Sequence, residues 1–310
     1  MWIIDDLSLR MQKILITGAN GFLGEALCRL LLSKPVHVQA TGRGECRLPF
    51  QHPNFQYSSL DFTNKASIEK LFGELKPGVV VHAGAASRPD FCEAEKENAF
   101  RINATGTLNL LEASQKQGAH FIFLSSDFVF SSDWKGSTPG FYKEDDERSP
   151  VNFYGQTKLL AEDEVMKYGG QWSIVRTAMV YGKPQSGRDN LVSNVAKALE
   201  NKQPLTIFHD QVRTPTFVDD LAIGIIKMIE TKSTGIFHIA GDEVFSLYEM
   251  AITTAHFLNK DASMIKKIYE TDLPQAAKRP KHTCLDISKA KQQLHFAPRS
   301  FKQGLREMFE

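Results

Sequence analysis

Residues Lys13 to Thr17 (KILIT) form an apolar run of strand length, followed at once by GANGFLG and then by the amphipathic EALCRLLLSK. Strand, glycine turn and helix in that order leave few folds open. Gly18, Gly21 and Gly24 give a G-x-x-G-x-x-G spacing. The first glycine lets the chain turn tightly, the second lets backbone approach a pyrophosphate, and the third permits close packing of helix on strand. At the helix start, around Phe22 and Leu23, unpaired N–H groups and the helix dipole favour an anion. A bare glycine triplet says little; between a strand and a helix it predicts a nucleotide-binding turn.

The rest of the first half continues the same alternation. A second strand, Val36 to Ala40, ends without an acidic residue to bond ribose hydroxyls, and Arg43 and Arg47 follow it. A guanidinium suits a 2′-phosphate through paired, charge-assisted bonds, so NADP is expected, with NAD as the other option and plain solvated loop arginines as the bland one. A third strand at Phe55 to Ser59 leads into Asp61 and Phe62; Asp61 either accepts from the adenine amino group or caps the next helix. Val79 to His82 reads as a central strand buried on both faces, with His82 packed rather than ligating. Its end, AGAAS, puts Ala83 and Ala85 where a nucleotide could lie close.

From Phe91 to Gln117 the spacing predicts one long helix, with Asn103 in its middle either breaking it or holding a water. The fifth strand, Phe121 to Leu124, ends in Ser125-Ser126-Asp127, at the edge where open α/β sheets bind ligands; a turn-forming serine pair is the alternative. A polar stretch over 131–149 is long for a structureless loop and is a candidate functional one. Then comes YGQTK, which sets Tyr154 and Lys158 one helical turn apart on one face. A phenol beside an ammonium is a usable acid/base pair, because the positive charge favours the phenolate. On spacing alone the usual reading of such a pair is a packed ring and a solvated amine. Trp172 to Arg176 is the sixth strand.

This alternation predicts an α/β fold, a doubly wound parallel Rossmann sheet with a smaller C-terminal substrate-binding lobe. The expected boundaries are 11–180 for the dinucleotide-binding domain, completed by 214–241, and 181–310 for the lobe. Residues before Lys13 read as a short extension. The net charge of +1 offers no electrostatic case for nucleic acid, and no apolar run approaches the ~18 residues of a membrane span. Cys28, Cys46, Cys92 and Cys284 are scattered, which points away from a metal site or a disulfide framework and towards a reducing, cytoplasmic location.

Taken together, TGANGFLG, AGAAS, the SSD strand end, YGQTK and VRTAMVYG resemble the extended short-chain dehydrogenase/reductase family from Lys13 to about Gly241. The resemblance implies a catalytic trio: Ser126 holding the substrate oxygen, Tyr154 exchanging its proton, and Lys158 lowering the tyrosine pKa and binding the nicotinamide ribose. Asn103 resembles a family asparagine near the proton relay. Within the family, SSDFVF, GFYKEDDERSPVNFYGQTK and DQVRTPTFVDDLA look most like the dTDP-4-dehydrorhamnose reductase branch. Related dehydratases carry Glu where this chain has Phe128, which cannot transfer protons. Two positions depart from the reductase pattern: Met179 stands in place of Trp, and Arg213 in place of Gly. Arg213 either grips a substrate phosphate or pairs within the lobe.

The expected activity is NADP(H)-dependent reduction of a keto group on a nucleotide-activated sugar, and the resemblance implies a homodimer through the helices around Phe91–Gln117 and Tyr154–Tyr168. The competing expectations are a non-catalytic NADP-binding regulatory subunit of the same fold, as in the beta subunit of methionine adenosyltransferase, and an NAD-dependent nucleotide-sugar epimerase.

Overall fold

The computed structural model describes residues 12–131, 136, 138, 140–184, 189–273 and 275–310. The expected N-terminal extension, and parts of the 131–149 and 183–190 loops, lie outside the described residues. Six strands alternate with helices through the first half: β1 (Gln12–Thr17), β2 (Val36–Gly42), β3 (Phe55–Ser59), β4 (Val79–His82), β5 (His120–Leu124) and β6 (Trp172–Arg176). A later strand, Gly235–His238, joins beside β6, and the sheet runs β3-β2-β1-β4-β5-β6 with that strand last, all parallel.

Alternation along the central strands explains the layering. Ile14, Ile16, Val38 and Val81 face one helical layer, and Leu15, Val80, Phe121 and Phe123 face the other. Strands buried on both faces read as continuous apolar runs, as KILI and VVV do. The chain leaves β1 for β2 and β3, then returns to β4 on the other side. That reversal opens a crevice at the carboxyl ends of β1 and β4, the place where such sheets bind ligands.

The helices of this half are α1 (Phe22–Leu31), α2 (Lys65–Leu75), α3 (Pro89–Ala94), α4 (Lys96–Phe100), α5 (Gly106–Gln117) and α6 (Phe153–Met166). The single helix expected over 91–117 is broken. Glu95 leaves helical geometry between α3 and α4, and a π-helical turn at Arg101–Thr105 joins α4 to α5. Asn103 sits in that turn, and its amide is spent on protein. Its Oδ1 accepts the Ala86 N–H at 2.7 Å; its Nδ2 donates to Ala86 O at 3.1 Å and to Thr157 Oγ1 at 3.0 Å. Of the two roles open to Asn103, the structure takes the helix break.

After Tyr181 the elements are shorter. Helix α7 (Leu191–Glu200) is capped by Asn190, and α8 (Val218–Thr231) packs on α1. Val180–Tyr181 pairs with Thr216–Phe217, Val212–Arg213 with Phe245–Ser246, and Leu205–Phe208 with Ile265–Ile268. A separate apolar cluster around Tyr181, Val192, Phe217, Met250 and Leu305 supports these pieces.

Candidate active site

One cavity of about 1100 Å³ opens at the strand ends, lined by the glycine turn, Arg43, Arg47, Asp61, Phe62, Ala83, Ala85, Ser126, Tyr154 and Lys158, but not by Asn103 or Arg213. At its floor Gly18 has φ +71°, a left-handed conformation costly for any residue with a Cβ. A Cβ on Gly18 would lie 2.7 Å from Gly84 N, and one on Gly24 would lie 2.4 Å from Gly18 O. The turn is thus pressed against β4's end and against its own helix. No side chain caps α1 at Gly21, so the N–H groups of Phe22, Leu23 and Gly24 remain open to an anion. Ala83 and Ala85 line the wall. Phe62 fills the room left by two other glycines: a Cβ on Gly84 or Gly106 would come within 2.6 Å of its ring. These features fit a dinucleotide.

At the far end Arg43, Arg47, Arg101 and Asp61 line the same cavity. Arg47 is braced on Asn20, whose Oδ1 accepts its N–H at 2.9 Å and whose carbonyl accepts from Nη2 at 3.2 Å. Arg101 was not singled out by the sequence; it donates to Thr63 Oγ1 at 2.7 Å from the π-helical turn. Asp61 does not cap α2. Its Oδ1 accepts from the N–H and hydroxyl of Thr63, and Asn64 caps the helix instead.

At the other end the structure brings Ser126, Tyr154 and Lys158 together. Asn152 caps α6 by accepting the Gly155 N–H at 2.9 Å, which places Tyr154 and Lys158 in the first two turns. Gly155 explains the second letter of YGQTK: a Cβ there would lie 2.2 Å from Phe128 O. The helix therefore rests directly on the turn that carries Ser126. Phe128 meets the Tyr154 ring edge-on at 5.6 Å, so an apolar ring occupies the position where a dehydratase would place its acid.

The electrostatics differ from the expectation. Burial pushes the Tyr154 phenol well above its usual pKa; the Ser126 side chain opposes this, while Asp127 and Cys92 add to it. In the chain alone burial outweighs the opposing influences, and the Lys158 ammonium makes its hydrogen bond elsewhere. Lys158 Nζ donates to Leu124 O at 2.6 Å and lies 4.0 Å over the Phe123 ring. Burial brings the Lys158 pKa down to about 7, with Glu162, one turn further on, opposing. Glu162 is itself held by both ends of the Arg176 fork, at 2.9 and 2.8 Å. Buried His82 lies between Thr17 and Thr107 and is pushed down to about 3 by burial, a packed neutral ring as expected.

Arg213 turns away from any phosphate. Its Nε lies 3.0 Å from Asp127 Oδ2, its Nη1 donates to Val212 O and Lys281 O, and its Nη2 donates to Pro280 O at 2.5 Å. It pairs, but with Asp127 of the N-terminal half and not within the lobe as expected; only its bonds to the Val212, Pro280 and Lys281 carbonyls stay within the C-terminal half. Thr283 also donates to Asp127 Oδ2, at 2.5 Å. Met179 lines the cavity with φ +44°, a strained conformation for a side-chain residue, stabilised where the Thr216 N–H donates to its carbonyl at 3.2 Å. Sequence spacing signalled neither Thr283 nor the strain at Met179.

The chain belongs to the RmlD substrate binding domain family, whose model matches residues 11–310. It is similar to a dTDP-4-dehydrorhamnose reductase structure from Clostridium acetobutylicum, at 32% identity and TM-score 0.83, covering 96% of this chain and 98% of that one. A dTDP-4-dehydrorhamnose reductase from Bacillus anthracis in complex with NADP superposes at 27% identity and TM-score 0.81, over 96% and 99% of the two chains. Methionine adenosyltransferase 2 subunit beta from Xenopus tropicalis is 31% identical over 98% of this chain and 89% of the relative.

Proposed function

We propose that this member of the RmlD substrate binding domain family is an NADP(H)-dependent reductase of a keto group on a nucleotide-activated sugar. The observation that carries this reading is the meeting of Ser126, Tyr154 and Lys158 at the strand ends, inside the cavity that begins at the glycine turn. The NADP bound by the Bacillus anthracis relative supports the cofactor, and Arg43, Arg47 and Arg101 provide the charge for a 2′-phosphate.

The bound cofactor supplies the hydride. The protein has to place the ketone, stabilise the developing charge on its oxygen and deliver one proton. Tyr154 is held as a phenol by burial and is the proton donor. Ser126 Oγ, beside it, bonds the carbonyl oxygen. Lys158, with a pKa near neutrality, lies where it can donate to ribose hydroxyls and steady the phenolate left by proton transfer. A positioned acid of this kind contributes roughly 10²–10⁴-fold. The turn at Gly18–Gly24 with Phe22 and Leu23 takes the pyrophosphate, Asp61 and Phe62 border the adenine end, and Ala83 and Ala85 allow close approach.

The reading includes a dinucleotide-binding half, 11–180 with 214–241, and a sugar-binding lobe within 181–310. Burial of Cys28, Cys92 and Cys284 as free thiols supports a reducing, cytoplasmic location. Phe100 and Leu160, exposed on α4 and α6, support a homodimer across that face, which sedimentation of the purified chain tests.

The methionine adenosyltransferase relative keeps a second reading in view, a regulatory subunit without turnover. NADPH oxidation with a panel of nucleotide-linked ketosugars separates the two. Turnover that vanishes in Tyr154→Phe supports the reductase. NADPH binding with no ketosugar reduced overturns it. Tight retention of NAD through purification would point to an epimerase instead.

A further inference from the structure

Ser126 has one hydroxyl proton, and its surroundings determine where that proton points. Ser126 Oγ lies 2.9 Å from Asp127 Oδ1 and accepts the Phe128 N–H at 3.2 Å. Burial pushes the Asp127 carboxyl up, against the opposing pull of Arg213, Thr283 and Ser126; as the carboxylate paired with Arg213 it only accepts, so the serine proton is directed at it. Asp127 is itself fixed. Arg213 Nε lies 3.0 Å from its Oδ2, Thr283 Oγ1 donates to the same oxygen at 2.5 Å, and its N–H donates to Thr177 O at 3.0 Å. Carbonyls of Val212, Pro280 and Lys281 hold the guanidinium in turn. All three side chains, Asp127, Arg213 and Thr283, are buried.

We propose that Asp127 is a positioning residue: it holds the Ser126 hydroxyl proton away from Tyr154, and Arg213 and Thr283 of the C-terminal half hold Asp127 in place. The inference rests on the reading of Ser126 and Tyr154 as a reductase pair and deepens it. A reductase must begin each turnover with a phenol. A serine that turned its proton to the phenol oxygen would stabilise the phenolate and empty the donor. With its proton on Asp127, Ser126 withholds from Tyr154 the bond that would otherwise pull the phenol towards phenolate, and the donor stays loaded. When a ketone oxygen arrives, the serine O–H turns from Asp127 to that oxygen, and no covalent bond changes in that step. The remaining charged or titratable groups around the phenol are Cys92 from α3, Lys158 from its own helix, and Arg213, whose guanidinium lies 5.8 Å over the Phe128 ring.

The test titrates Tyr154 in the full chain with NADP bound, by NMR of ring-labelled tyrosine, with Tyr154→Phe identifying the resonance. The pair Asp127→Leu with Arg213→Met removes the acceptor and leaves no lone charge. The expected result is a Tyr154 midpoint at least about 1 pH unit below wild type, and no such shift when the same pair is placed in a Ser126→Ala background. A midpoint that stays at the wild-type value overturns the proposal. So does an equal shift without Ser126, since the effect would then be the field of the charges. Should the double variant fail to fold, Thr283→Val with Arg213→Lys loosens Asp127 with the charges kept, and must give a smaller shift of the same sign that Ser126→Ala abolishes. The readout needs no turnover. A normal titration shift with no ketosugar reduced sinks the reductase reading alone; reduction without the shift sinks only the role of Asp127.

Discussion

The Lys158 ammonium donates to the carbonyl oxygen of Leu124 at 2.6 Å, tying the second turn of α6 to the last residue of β5. The tie fixes the geometry between Tyr154 and the serine at the strand end, but it requires a buried amine. Burial lowers the Lys158 pKa to about 7. The unfolded chain, with lysine near its ordinary ~10.4, therefore holds more protons than the folded one between pH 7 and 10. Stability contributed by this group rises with pH through that window, and the full cost of the buried charge is present below pH ~7. Lys158→Met is expected to stabilise the cofactor-free protein at pH 6.5 by on the order of 1–3 kcal/mol, seen as a higher melting temperature, and to give little gain at pH 10. Calorimetry at the two pH values checks this; a gain that does not shrink with rising pH would refute the buried-charge account.

Arg213 and Asp127 give a second stability test. Removing one partner of a buried ion pair leaves the other charge uncompensated and costs about 3–5 kcal/mol, whereas replacing both with apolar residues is often close to neutral. Arg213→Met alone should therefore lower the urea midpoint sharply, and adding Asp127→Leu should restore much of the loss. If the double variant is no more stable than the single one, the pair is not what Arg213 supplies to the fold.

The glycine turn was legible in the sequence because its demands are local. A positive φ at Gly18, and collisions of a Cβ on Gly21 or Gly24 with Gly18 and Ala19 in the same turn, call for glycine there, while the clash of Gly18 with Gly84 comes from β4's end. The central strands β1, β4 and β5 were legible for the same kind of reason, since burial on both faces writes an apolar run. Asn103 was legible as an anomaly but not in its role, because its partners Ala86 and Thr157 come from other elements. Arg213 left two roles open for the same reason. Its partner Asp127 and the carbonyls of Pro280 and Lys281 are brought to it only by the fold. Tyr154 and Lys158 were correctly placed on one face of a helix, yet the spacing could not show that the ammonium is claimed by Leu124. Arg101 reaches the cavity because a π-helical turn shifts the register of the helix, which no periodic pattern reveals.

Gly18→Ala tests the turn directly. The added Cβ would sit 2.7 Å from Gly84 N and Cα in a left-handed conformation, so β4's end or the turn must move. The substitution should weaken NADPH binding at least about tenfold and destabilise the fold by roughly 1–3 kcal/mol. Calorimetric titration with NADPH and a melting curve measure the two effects; unchanged affinity would show that the pyrophosphate does not rest on this turn.

On the proposed reading, cofactor choice rests on the arginines after β2. Arg43 is exposed at the cavity's far end, while Arg47 is already braced on Asn20 and Arg101 on Thr63. Arg43 is thus free to meet a 2′-phosphate without breaking an existing bond, and a charge-assisted contact of that kind is worth about 1.5–3 kcal/mol. Arg43→Ala should raise the NADPH dissociation constant about tenfold or more and leave that for NADH within a factor of about two, because NADH has no 2′-phosphate to lose. The contrast should shrink at high salt, as expected for an exposed ionic contact. Equal losses for the two cofactors would mean that Arg43 shapes the loop rather than reading the phosphate. The 2′-phosphate would then fall to Arg47 or Arg101, and Arg47→Ala, which also frees Asn20, would have to show the selective loss instead.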